Sequence, residues 1–160
     1  MVPVVRMRFV TADGFISKAI RQITNSLFSH VEFGTPEGHW IGAHTGDGVQ
    51  ERAADYCTPT REYVYEIPVS QEVMDAHLKR IRFQIGTHYN NLDILGLLVK
   101  NRKLTTLHSV ICSQFVSDEM LCLFGARKYL NVLAGFTYLI TPETCHLSPV
   151  FVGCLVKKVG

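Results

Sequence analysis

At 160 residues the chain has the length of one domain, and with 47% hydrophobic and 19% charged residues it can bury a core without metal or disulfide staples, which excludes wholesale disorder. The formal net charge of +2 comes from scattered basic residues with no run of five or more, so no nucleic-acid partner is implied, and the cluster Lys100, Arg102, Lys103 reads as a solvated loop. Five cysteines, an odd number without CxxC spacing, point to free thiols in a reducing compartment and lack the usual zinc-ligand pattern.

The opening stretch MVPVVRMRFVTADG has no charged-then-apolar signal organisation, and no apolar run reaches the roughly 18 residues that span a bilayer. The expectation is a soluble, cytoplasmic chain without a transmembrane segment, forming a single domain over residues 1–160. Val4 to Val10 alternates loosely and predicts a strand; Asp13-Gly14 marks a turn. Phe15 to Leu27 carries apolar residues at helical spacing. Ser29-His30-Val31-Glu32-Phe33 predicts a strand, Thr35-Pro36-Glu37-Gly38 a turn, and His39 to Ala43 the second arm of a hairpin. A short strand follows at Val49 to Arg52, and another at Glu62 to Val69.

Ser70 caps a predicted helix running to about Gln84. Asn90 to Val99 reads as a short helix, and Ser109 as the cap of a helix that carries ICSQFVSDEMLCLF and stops at Gly125. Thr141-Pro142-Glu143 starts a last helix, and Val150 to Val156 predicts a final strand. The mix is α+β, with helices packed on a mostly antiparallel sheet.

Three residues stand out for chemistry. Cys112 falls near the N-terminus of a predicted helix, where unpaired backbone N–H groups favour a thiolate and can stabilise an oxyanion. A lone cysteine on an apolar helix is otherwise core packing, as is expected of Cys122 deeper in the same helix. His30, at the opening of a strand, can take a thiol proton and return it to a leaving group. His44, near the end of the partner strand, is placed to orient the His30 ring, with Asp47, Gln50 and Glu51 as competing orienters and His39 expected to be exposed. Trp40, Tyr56, Tyr63 and Tyr65 read as core or rim packing.

SHVEF, a hairpin ending in GAH, and then HSVICSQFVSDEM resemble the permuted branch of the NlpC/P60 papain-like superfamily, which includes YiiX-like and lecithin retinol acyltransferase-like proteins. The resemblance spans roughly Phe9 to Leu155, and in that branch the histidine strand precedes the cysteine helix, as here. It implies a permuted papain-like fold with Cys112 as nucleophile and His30 as base. The third polar residue falls on His44, or on Gly42 if the strand register shifts. Tyr89-Asn90-Asn91-Leu92-Asp93 resembles a stretch preceding the family's cysteine helix, but Asn90 departs from the pattern. The implied activity is hydrolysis of amide bonds in peptides or peptidoglycan stems, with lipid esters or acyl transfer as the alternative, and with no cofactor or metal required. A binding module, or an assembly protein of phage derivation that is later released, is the alternative of a different class.

Overall fold

Alternation along Val4–Thr11 puts Val5, Met7 and Phe9, all fully buried, on one face of the first strand and Arg6 and Arg8 on the other. This strand, β1, is the centre of the fold. The structure, a computed structural model, describes residues 2–88, 112–124, 142–146 and 153–159. The predicted helix at Asn90 to Val99, the Ser109 cap, the Gly125 stop and the segment at Tyr89 lie outside the described residues.

After β1 come α1 (Phe15–Thr24), β2 (His30–Gly34), β3 (Trp40–His44), β4 (Gly48–Arg52), β5 (Arg61–Pro68) and α2 (Gln71–Phe83). The later described elements are α3 (Cys112–Phe124), α4 (Pro142–His146) and β6 (Leu155–Val159). The six strands form one sheet in the order β4-β3-β2-β1-β5-β6, with every neighbouring pair antiparallel. The architecture is therefore α+β, as the sequence reading expects.

One face of the sheet carries the core. Met7, Phe9, Val31, Phe33, Ile41 and Tyr65 pack against Met74 and Ile81 of α2 and against Phe115, Val116 and Met120 of α3. Burying such side chains stabilises by about 1.5–3 kcal/mol each. The helices are also tied by a polar contact: buried His77 Nδ1 lies 2.9 Å from Glu119 Oε1, and Arg80 Nη2 donates to the same oxygen at 2.8 Å. Among the described residues no helix is long and apolar enough to cross a membrane.

Two boundaries differ from expectation for identifiable reasons. The first helix stops at Thr24, not Leu27, because Asn25 takes a left-handed conformation (φ 49°) that asparagine tolerates. The last strand is shifted toward the C-terminus: Lys157 and Lys158 pair with Val64 and Tyr63. An edge strand accepts such lysines, and they dilute the apolar signal that drew the expectation upstream. The hairpin is as expected, each arm displaced by one residue, with Gly38 at φ +87°, a value that favours glycine.

Candidate functional site

At one end of the sheet, β1 finishes, β2 begins at His30, β3 ends at His44, and α3 begins at Cys112. These ends enclose a cavity of about 210 Å³, lined by His30, His44 and Cys112 together with Ile16 and Ile20 of α1, Tyr56 and Cys57. All three residues singled out in the sequence thus meet at one cavity.

The strand register explains the grouping. Phe33 lies opposite Ile41 and Gly34 opposite Trp40. Continued toward the cavity, that register sets Glu32 against Gly42 and His30 against His44, all on the face away from the core. On the other side of β2, Arg8 pairs directly with Glu32 and Val10 with His30. Glu32 is thus flanked by an arginine on one neighbouring strand and a glycine on the other. The glycine is required by space: a Cβ at Gly42 would stand 2.9 Å from Glu32 Cβ and 3.2 Å from His30 Nε2. Gly42, with no side chain, makes room for the carboxylate and carries no polar role.

The Glu32 side chain is fully buried, yet its two oxygens face different partners. Arg8, itself 3% exposed, donates to Oε1 through Nε at 2.7 Å and also through Nη2. Tyr56 Oη donates to both oxygens at 3.1 Å. Oε2 looks into the site, 3.4 Å from His30 Nε2 and 3.9 Å from His44 Nε2. Neither ring nitrogen has a hydrogen-bond partner of good geometry. The two imidazoles pack on each other with centroids 4.7 Å apart, and Tyr56 meets His44 edge-on at 5.4 Å.

The charges follow from these contacts. Burial opposes protonation of His30, but the Cys112 side chain, in hydrogen-bonding contact with the ring, and the Glu32 carboxylate outweigh it and raise the pKa to about 10. Burial would likewise raise Glu32; His30 and Arg8 hold it down at about 2. His44 goes the other way, because burial and the charge on His30 lower it to about 3. Tyr56 is pushed up by burial and by Glu32, so it stays a phenol and a donor. The site therefore contains a charged imidazole between a sulfur and a carboxylate, with a neutral imidazole stacked beside it.

His44 reaches the site, but the group against His30 Nε2 is the Glu32 carboxylate. Sequence reading passed over Glu32, an interior residue of SHVEF, although its i+2 spacing puts it on the same strand face as His30. Tyr56, expected to be packing, anchors that carboxylate. The other residues weighed as orienters are engaged elsewhere: Asp47 with Arg52, Glu51 with His39 at 3.0 Å, and Gln50 with the Asp47 carbonyl. His39 is exposed, as expected, while Cys122 is exposed rather than packed in the core.

The inward set of one carboxylate oxygen and two imidazole nitrogens lies within 4.8 Å mutually. Two histidines and a carboxylate suit a divalent transition metal, and two buried ring nitrogens without partners are what such a site presents before an ion is bound. The residues fit a metal as well as a proton.

No family model matches the sequence, and no curated protein matches it. A solved structure does: metalloprotein YiiX from Escherichia coli O157:H7, with a TM-score of 0.65 at 13% identity, over 99% of this chain and 97% of that one. The chain is similar to YiiX in fold.

Proposed function

We propose that the chain is a cysteine-nucleophile hydrolase that cleaves amide bonds through an acyl-enzyme, with Cys112 as nucleophile, His30 as acid–base and Glu32 as the group that orients His30. The observation that supports this is the contact series Cys112–His30–Glu32, ending on Arg8 and Tyr56, at a cavity wall. It has the parts a thiol hydrolase needs: a nucleophile, a base in contact with it, and a third group fixing the base.

The steps balance as follows. In the resting pair the Cys112 proton is already on His30, and the sulfur pair attacks the carbonyl carbon. Backbone N–H groups of the first turn of α3 face the developing oxyanion. The carbon–nitrogen bond breaks as the His30 proton moves to the departing amine, leaving a thioester on Cys112. Neutral His30 then takes a proton from water, whose oxygen attacks the thioester, and keeps that proton as the acid leaves and the thiolate of the resting pair is restored. Glu32 stabilises the charged ring throughout, and its fixed Nε2 contact leaves Nδ1 for the sulfur. His44 stays neutral and packs the ring in place; in this reading it supports orientation but is not the group bound to His30.

The acyl group is a peptide or peptidoglycan-stem carbonyl in the first reading. A lipid ester or acyl-transfer reading is favoured by one observation: Phe15 and Ile16 at the start of α1 are 88% and 51% exposed, and Ile16 also lines the cavity. That rim suits an acyl chain.

A fluorescent thiol probe at limiting concentration, with peptide mapping, tests the enzyme reading. Cys112 is only 6% exposed whereas Cys122 is exposed, so accessibility alone would label Cys122 first. Labelling of Cys112 ahead of Cys122, lost in His30→Ala, supports the nucleophile. Labelling in order of exposure refutes it and leaves a binding or assembly protein on this fold. Peptide and ester substrates offered to the wild-type chain, with intact mass measured for the acyl-enzyme, then separate the two acyl classes.

A further inference from the structure

We propose that His30 Nε2, His44 Nε2 and Glu32 Oε2 form a binding site for one divalent transition-metal ion of the zinc class. Three features of this chain's own atoms support it. First, the three atoms converge. Metal–nitrogen and metal–oxygen bonds of about 2.0–2.2 Å in tetrahedral geometry put ligand atoms roughly 3.3–3.6 Å apart. The carboxylate oxygen is 3.4 Å from one ring nitrogen and 3.9 Å from the other, so rotamer-scale adjustment closes the set. Second, both ring nitrogens are buried without a hydrogen-bond partner of good geometry, His30 Nε2 facing the Glu32 carboxylate at 3.4 Å, and the His44 side chain is only 10% exposed. A buried imidazole nitrogen left unpaired costs stability unless something fills the place.

Third, the carboxylate is already divided. Arg8 occupies Oε1, and Arg8 is itself shared with Glu62 at 3.5 Å, so Oε2 remains for the ion while the ligand is held rigidly from behind. Tyr56 donating to the carboxylate serves as the outer support that metal-binding carboxylates usually have. Gly42 keeps the space clear, because a side chain there would fill the approach to both Glu32 and His30. Two imidazoles and one carboxylate favour zinc, cobalt or nickel over magnesium or calcium, which take all-oxygen sets.

Occupancy has a consequence for the neighbouring sulfur. A ring nitrogen bonded to a metal cannot hold a proton, so a metal-bound His30 cannot be an imidazolium. Metal binding then opposes proton storage at His30 and suppresses Cys112 reactivity. Binding itself does not depend on whether the chain is an enzyme.

The test uses zinc chloride alone, titrated into chelator-treated, reduced chain by calorimetry, with equilibrium dialysis for stoichiometry. Wild type should bind one equivalent. Cys112→Ser should bind it as well, which separates this site from thiol-held zinc. His44→Ala should lose at least tenfold in affinity; His39→Ala should lose nothing. A thermal melt establishes that His44→Ala is folded, and His44→Asp, which restores a ligand of another type, should recover part of the affinity. In cobalt-loaded chain the visible spectrum should show nitrogen and oxygen ligation in wild type and in Cys112→Ser alike. Zinc should slow alkylation of Cys112 in wild type and not in His44→Ala. Binding unchanged in His44→Ala, abolished in Cys112→Ser, or undetectable in wild type would overturn the site.

Discussion

Replacing Glu32 by Gln removes the charge behind His30 while keeping the shape. The carboxylate lies 3.4 Å from His30 Nε2, and at an effective dielectric of about 20 a pair at that distance is worth about 5 kcal/mol, or roughly 3.5 pKa units, as an upper bound. Relaxation and the remaining Cys112 contact reduce this. A fall of at least about one unit in His30 still follows; starting from about 10, the ring stays protonated at mildly acid pH and loses its proton at least about one pH unit earlier on the alkaline side. The variant also leaves Arg8 buried with Glu62, at 3.5 Å, as its remaining carboxylate among the described residues. Breaking a buried pair costs about 3–5 kcal/mol; the Gln carbonyl still accepts from Arg8, which brings the expected loss to about 2–3 kcal/mol. For a chain of this length that lowers the melting temperature by roughly 5–10 °C. The assay is iodoacetamide alkylation of metal-free chain from pH 5 to 9, read at the Cys112 peptide by mass spectrometry, with exposed Cys122 as internal reference. The alkaline limb of the wild-type profile, which reports loss of the His30 proton, should move down by at least about one pH unit in Glu32→Gln. Superimposable profiles in a folded variant would refute the coupling of Glu32 to the sulfur through His30.

Gly42→Ala puts a Cβ 2.9 Å from Glu32 Cβ, so despite the stabilisation of about 0.4–1 kcal/mol that Gly→Ala brings through the unfolded chain, a net loss of about 1–3 kcal/mol and slower Cys112 alkylation are expected by melting and labelling. Stability of metal-free chain should peak near pH 6.5. His30, raised from 6.5 to about 10, contributes fully below 6.5 and its contribution is lost as pH climbs through about 10. His44, lowered from 6.5 to about 3, contributes above 6.5 and is lost as pH falls toward 3, with Glu32, lowered from 4.5 to about 2, adding to the acid limb. Urea midpoints across pH check this, and His44→Gln should flatten the fall between 6.5 and 4.5. Glu119→Ala leaves buried His77 and part-exposed Arg80 without their shared partner and should cost about 3 kcal/mol by denaturant titration, with little effect on Cys112 labelling. Once a substrate is found, His44→Ala should lower kcat and largely spare KM, while His39→Ala, whose ring is exposed beside Glu51, should be silent.

Period and punctuation carried most of the described fold. The alternation at Val4 to Val10, the Ser70 cap, whose hydroxyl accepts from the Val73 amide at 3.3 Å, and the Pro36–Gly38 turn are local signals, and the structure has the corresponding elements. Cys112, His30 and His44 were legible because their residue types are chemically unusual at a helix start and at strand ends. Glu32 was not, because a glutamate in an alternating strand reads as a solvent-facing residue. Its burial is set by Arg8 two dozen positions earlier and Tyr56 two dozen later, contacts that only the strand order creates. Gly42 was similarly opaque: its meaning lies in the atoms opposite it, not in its neighbours along the chain.

The polar face of this sheet presents a choice between two chemistries at one nitrogen. His30 Nε2 faces Glu32 Oε2 whether the ring carries a proton or donates a lone pair. As a protonated ring it forms an ion pair with the carboxylate and supports a nucleophile; as a neutral ring it joins His44 as a ligand. His44 stays neutral because burial and the charge on His30 both oppose a second proton there, so one ligand is ready in either state. What moves the balance is therefore the proton on His30 alone. Raising pH or supplying zinc-class ion should favour the ligand set, and lowering pH should favour the ion pair, so zinc affinity should rise with pH through the neutral range. Alkylation of Cys112 measured with and without zinc at two pH values reads both sides of that competition. Inhibition by zinc that grows with pH and vanishes in His44→Ala is the expected outcome, and inhibition that persists in that variant would place the ion on sulfur instead.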